Sequence, residues 1–255
     1  MTPDTPEASG PARYSDPHAP RRRANPREVV SFVRRSGRMN ASQQRAWAGQ
    51  SDFVVRVPVR SSSTSIAPDA DVDWTAEFGR TAPLLVEIGG GTGHAIVAHA
   101  EAHPDVDHVV FEVHEPSAAS TLGRMARHGV SNVRLVVADG VEGLTVLIGP
   151  RSLTELWTFF PDPWHKARHH KRRLVTTAFA DLVASRLRPS GVWRLATDWA
   201  DYADAMREVL DVHPGFENAH AGWAPRWPGR PLTKFEAKGL AAGRQVFDLC
   251  YRRRG

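Results

Sequence analysis

The chain has 255 residues, 41% hydrophobic and 24% charged, with a formal charge of +5 and a pI of about 9.9, which suits one substantial domain and is short for two large ones. No apolar run approaches the roughly 20 residues of a membrane-spanning helix, the first residues lack the apolar core of a secretory signal, and a single cysteine, Cys250, excludes an internal disulfide or a cysteine-rich zinc site. A cytoplasmic protein with an anionic partner is the expectation, since cations that neutralise phosphates release counterions and gain affinity.

Residues 1 to 26, rich in Pro, Ser and Arg, read as a flexible basic tail, with Arg21, Arg22 and Arg23 either a phosphate-touching arm or simple solubilising charge. Residues 27 to 82 read as an N-terminal extension. In it Arg34, Arg35 and Arg38 cluster beside Phe32 and Val33, a short helical stretch follows, and the small polar residues 61 to 73 form a loop. From residue 83 to 255 the pattern becomes regular. Apolar runs at 84 to 88, 108 to 113, 133 to 138, 153 to 160, 192 to 197 and 245 to 251 predict strands, and the stretches 94 to 103, 118 to 127, 175 to 188 and 199 to 212 predict helices. This alternation is that of a parallel, doubly wound α/β sheet, in which ligands sit beyond the carboxyl ends of the strands. Five acids, Glu87, Glu112, Asp139, Asp162 and Asp198, fall at or just past five successive strand ends.

The first strand runs into Gly89-Gly90-Gly91-Thr92-Gly93 and then a helix, so that backbone approaches a ligand closely. The dinucleotide pattern G-x-G-x-x-G fails, because its third glycine is replaced by His94 or Ile96, and no Lys-Ser/Thr follows as in a P-loop. The pattern that fits is E-x-G-x-G-x-G, Glu87 through Gly89, Gly91 and Gly93, which resembles the first motif of class I methyltransferases that bind S-adenosylmethionine. Glu112, about twenty residues on, is placed to accept ribose hydroxyls; Asp139 is placed for an adenine amino group and Glu87 for the methionine amine. Taken singly, each acid is equally a solvated loop residue or a helix cap.

The stretch LWTFFPDPWHKARHHKRR, 156 to 173, sets one carboxylate, Asp162, between two prolines that restrict its backbone and ahead of a dense cationic run. Lys166, Arg168, His169, His170, Lys171, Arg172 and Arg173 read as phosphate-tracking cations, and Trp164 as a base-stacking or a packing aromatic. Asp198 is a base contact, an N-cap for the next helix, or both. His165, His169 and His170 have a spacing open to zinc but no cysteine or acidic ligand nearby, and no metal is expected.

Taken together, these segments resemble the bacterial tRNA guanine-N7 methyltransferases. The resemblance rests on SFVRRSGRM with QQRAW, LLVEIGGGTG, FEVHEP, FFPDPWHKARHHKRRL, ATDWADY and RPLTKFEAKGLAAGRQVFDL, and covers most of the chain from about residue 29. It implies the seven-stranded class I methyltransferase sheet with its last strand antiparallel. It further implies S-adenosylmethionine held by Glu87, Gly89, Gly91, Gly93, Glu112, Asp139 and Asp162, with Asp162 also the catalytic residue. Lys166, Asp198, Thr233, Lys234, Phe235 and Glu236 would contact tRNA, the target being a guanine of the variable loop. His165, Ala167, Lys238 and Arg244 depart from the family pattern, and the chain acts as a monomer or a homodimer. The rival readings are an exocyclic-amine nucleic-acid methyltransferase, because related turns after the fourth strand have that role, and a non-catalytic RNA-binding module with a residual cofactor pocket.

Overall fold

Leu84–Ile88 (β1) is an apolar run with one acid, Glu87, buried almost throughout, as in a central strand covered by helices on both faces. It pairs in parallel with Asp107–Phe111 (β2) on one side and Leu153–Phe159 (β4) on the other. Val133–Val136 (β3) adds in parallel to β2, and Leu187–Thr197 (β5) to β4. Phe247–Arg253 (β7) runs antiparallel between β5 and the short Phe216–Asn218 (β6), giving a seven-stranded sheet of order β3-β2-β1-β4-β5-β7-β6. The doubly wound sheet with an antiparallel last strand is therefore the fold. Strand order reverses between β1 and β4, so a crevice opens over their carboxyl ends.

The computed structural model describes residues 31, 32 and 37 to 255, and Ser31–Gly255 group as one unit. Arg21, Arg22, Arg23, Val33, Arg34 and Arg35 lie outside the described residues, as do the side chains of Lys234 and Phe235.

Alternate residues of each strand feed two cores. Leu85 and Val110 meet Ile96 and Val97 of His94–Ala102 (α3) and Leu122 and Met125 of Glu115–His128 (α4). On the opposite face Val86, Val109 and Phe111 belong to a cluster with Leu144 of Gly140–Val146 (α5), Phe179 and Val183 of Thr177–Arg186 (α6), and Tyr202 and Met206 of Ala200–Leu210 (α7).

Several boundaries differ from the sequence expectation for physical reasons. The α4 helix starts at Glu115 rather than 118, with Pro116 in its first turn, where a missing N–H costs nothing. Residues 187 and 188, expected to end a helix, open β5 instead; Ser190 at φ 63° and a register skip against β4 carry the chain back into line at Val192. The α5 helix was not expected, since Gly140 and Gly143 are poor helix formers. A methyl at either position would meet Ile88 Cγ2 at 2.6 Å or Phe111 Cε1 at 2.2 Å, so the glycines let this helix lie directly on the strands.

The extension packs onto the sheet. In Ala41–Gly49 (α1), capped by Asn40, Gln43 donates to Pro116 O (2.9 Å) and Ser120 Oγ (3.0 Å) of α4. Val55 N–H donates to Leu135 O (2.8 Å), covering part of the β3 edge. Beyond the irregular residues 61 to 73, Trp74–Phe78 (α2) anchors its Trp74 indole on Leu147 O (2.8 Å). Within that irregular stretch, Thr64 O accepts from Asp139 N–H (2.8 Å) and Ile66 N–H donates to Glu142 Oε2 (2.6 Å).

Candidate functional site

Past β1 the chain turns through Gly89, Gly91 and Gly93 at φ +75°, +56° and +72°, left-handed values that L side chains resist. Glu112, buried just past β2, braces this turn. Its Oε2 accepts from Gly91 N–H and its Oε1 from His114 N–H, both at 2.8 Å. Burial raises its pKa while those N–H bonds pull it down. Glu87 is buried on β1 and its Oε2 has no hydrogen-bond partner among the described residues. Burial first, and the Glu112 charge second, push its pKa up to about 8. A methyl on Gly90 would lie 3.4 Å from that same oxygen and 2.5 Å from Val110 Cγ1, so the glycine leaves room over the carboxylate.

Asp139 is the N-cap of α5, its Oδ1 accepting from Val141 N–H at 2.8 Å. Gly89, Gly91, Glu112, Asp139 and Asp162 line one cleft of about 220 Å³ at the switch point. Glu87 and Gly93 are not among the residues that line it. A buried carboxylate without a partner is costly unless a cation or donor meets it, so this donor set fits the ammonium, ribose and adenine groups of S-adenosylmethionine.

The turn carrying Asp162 is bracketed by two non-glycine residues in left-handed conformation, Phe160 at φ 50° and Trp164 at φ 47°. Each costs about 1–3 kcal/mol and persists only where neighbours hold it. Phe160 N–H is fixed on Ala196 O (2.7 Å). The Trp164 indole donates to Ser31 O (2.9 Å), and the Arg172 guanidinium lies 3.6 Å over its ring while donating to Phe32 O (3.2 Å). Arg173 is buried, donates to Pro163 O (3.0 Å), pairs with Asp201 and lies 4.8 Å over the Tyr202 ring.

Of the two roles open to Trp164, packing is the one found, since it anchors the turn. One expectation changes here: Arg172 and Arg173 hold the turn rather than track phosphates. The segment Ala167–Arg172 is a 3-10 helix that leaves Lys166, Arg168 and Lys171 exposed.

Asp198, past the end of β5, makes an ion pair with Arg244 (2.6 Å) and does not cap α7. The N-cap is Trp199, which makes no side-chain cap bond, and Thr197 Oγ1 takes the Trp199 N–H (3.2 Å). Thr233 caps Lys234–Ala241 (α8), accepting from Glu236 N–H (3.1 Å). Glu236 is buried in an ionic network with Arg230 (2.8 Å) and Arg226 (3.2 Å), and Arg230 in turn holds Asp248 through two 2.9 Å bonds. The clamp of Arg173 on Asp201 and the Asp198 to Arg244 pair were not foreseen. The only signal for them was opposite charge at separations without a period.

Strand order, glycine turn and acids together define a class I methyltransferase-like α/β protein. Among solved structures, the 16S rRNA methyltransferase KamB matches with a TM-score of 0.54 at 16% identity, over 79% of this chain and 100% of that one. The antibiotic-resistance methyltransferase Kmr matches at 0.51 and 18%, over 78% and 98%. These are likenesses of fold. The family described as "Putative methyltransferase" matches residues 81–249. A tRNA (guanine-N(7)-)-methyltransferase of Cutibacterium acnes is 55% identical over 231 residues, 89% of this chain and 84% of the relative. That of Nocardioides sp. is 53% identical, over 90% and 89%, and that of Paraburkholderia xenovorans 42%, over 100% and 94%. The chain belongs to the tRNA (guanine-N(7)-)-methyltransferase family.

Proposed function

We propose that the protein transfers a methyl group from S-adenosylmethionine to N7 of a guanine in tRNA, at guanine 46 of the variable loop, in the cytoplasm and without a metal. The observation that carries this reading is identity of 53–55% with tRNA (guanine-N(7)-)-methyltransferases along some nine-tenths of the chain. The buried, unpartnered Glu87 carboxylate supports the cofactor assignment.

S-adenosylmethionine, when bound, supplies an electrophilic methyl group. Glu87 receives its ammonium. The Glu112 oxygens, each with a second lone pair beyond its N–H bond, accept the ribose hydroxyls, and Asp139 accepts from the adenine amino group. Guanine N7 carries an in-plane lone pair, so its attack needs no proton removed and no general base. What the protein must provide is alignment and compensation for the positive charge that develops on the purine. Asp162 does both, holding the guanine N1–H and amino edge from its braced turn.

Tritium-labelled S-adenosylmethionine and unmodified tRNA, followed by digestion to nucleosides, test the assignment. Label is expected in 7-methylguanosine and is greatly reduced with Asp162→Ala. Label in an adenine or cytosine nucleoside would replace this reading by exocyclic-amine methylation.

A further inference from the structure

We propose that the Trp199 indole and the His165 imidazole form a stacking platform for a nucleobase of the RNA substrate beside the cleft; the identity of that substrate rests on the proposed function. The two rings come from the same two turns as the two acids. His165 follows Asp162 by three residues and Trp199 follows Asp198 directly, and the strands that deliver them are neighbours, with Phe159 opposite Ala196. The ring centroids are 5.9 Å apart with planes at 52°, too tilted to cover one another. Both residues are exposed, Trp199 at 38%, and neither ring hydrogen-bonds a described residue. Trp164 on the same turn differs, because its N–H and one of its faces are already occupied.

Local structure gives tryptophan no reason to be at this position. An N-cap stabilises its helix through a short acceptor side chain, and Trp199 makes no such bond. Its backbone is nonetheless fixed, since its carbonyl accepts from Tyr202 N–H (3.0 Å) and Ala203 N–H (2.9 Å). An apolar face is thus presented to solvent on a rigid element. The exposed Lys166, Arg168 and Lys171 belong to the segment that carries His165. Aromatic faces beside cations make the pattern by which proteins hold unpaired bases, stacking on the former and phosphate contact through the latter.

The test uses the full-length protein with Trp199→Ala, Trp199→Phe and His165→Ala. Its readouts are tRNA KM, cofactor affinity by calorimetry, Tm, and quenching of 2-aminopurine placed in the tRNA variable loop. Trp199→Ala is expected to raise tRNA KM about tenfold and abolish quenching, with cofactor affinity and Tm unchanged. Trp199→Phe should stay within about threefold of wild type, and His165→Ala should fall between. Wild-type KM and quenching in Trp199→Ala would overturn the platform, as would equal losses in the Ala and Phe variants together with lower Tm. If wild type methylates no tRNA guanine yet quenches through Trp199, the functional reading fails and the platform stands.

Discussion

Arg244 Nη1 lies 2.6 Å from Asp198 Oδ2, joining the segment after α8 to the carboxyl end of β5, with Asp198 only 14% exposed. With the guanine N1–H and amino edge on Asp162, a guanidinium and another N–H or O–H donor of the tRNA nucleotides compete for the Asp198 carboxylate. If Asp198 receives that donor, Arg244 is its stand-in until RNA arrives. Arg244→Ala is then expected to lower tRNA KM by up to about fivefold, the worth of a partly exposed ion pair of about 1 kcal/mol, while Asp198→Asn raises it. Steady-state kinetics over tRNA concentration decide. A raised KM in Arg244→Ala would mean instead that the pair serves to hold α8 in place.

Glu87 links cofactor binding to pH. Its carboxyl, pushed up to about 8 by burial and Glu112, is protonated at pH 7, whereas an ammonium group needs the carboxylate. Binding at pH 7 should release about one proton, visible as a buffer-dependent heat, and affinity should rise close to tenfold per unit between pH 6 and 7. Glu87→Gln is expected to weaken binding and flatten that dependence. The same shift acts on stability. A carboxyl raised in the folded state contributes most below the unfolded value of 4.5, and its contribution is lost as pH rises toward 8. The ligand-free wild type should therefore lose Tm between pH 5 and 8.5 by a margin that Glu87→Gln does not show.

The alternation of strands with helices and the acids at the strand ends were legible because both follow local rules, short apolar runs bounded by turn residues and a place just after each run. The glycine turn was legible as well, since it stands between strand and helix where the sequence placed it; the left-handed φ of Gly89, Gly91 and Gly93 came from the structure. Where long-range packing decided, the pattern was silent. Two glycines hid α5 because their use is the approach to Ile88 and Phe111, which no helix propensity records. A three-residue strand such as β6 is too short to show a period. In the cationic run, charge density concealed that Arg173 is buried under the turn, because sign alone does not separate a surface cation from one paired with a carboxylate 28 residues away.

The half-buried His99 and the buried His108 set the acid limit of the fold. Asn132 O, a carbonyl, accepts from His108 Nδ1–H (3.1 Å), so His108 Nε2 accepts from His99 Nδ1–H (2.8 Å), an arrangement of two neutral rings. Burial lowers His99 to about 3 and His108 to about 4, with further lowering of His99 by the neighbouring histidines. For a lowered histidine the unfolded chain binds more protons below 6.5, so the stabilisation is whole above 6.5 and lost as pH falls toward 4. Urea midpoints should drop from pH 7 to pH 5 by an amount that includes roughly 2 kcal/mol from His108, and His108→Asn should shallow the slope.

Arg173 and the exposed cations of the same run separate by their salt dependence. Lys166, Arg168 and Lys171 are exposed, and if they meet phosphates, each alanine variant weakens tRNA binding and reduces the slope of log K against log salt by about one. Arg173 meets Pro163 O, Asp201 and the Tyr202 ring. Its loss removes one brace of the strained turn and leaves the Pro163 carbonyl without that donor. Arg173→Ala should cost about 2 kcal/mol of stability and lower kcat by letting Asp162 drift, since small misplacements at a reacting centre are costly. Its salt slope should stay at the wild-type value. A slope reduced by one with unchanged Tm would place Arg173 on the RNA instead.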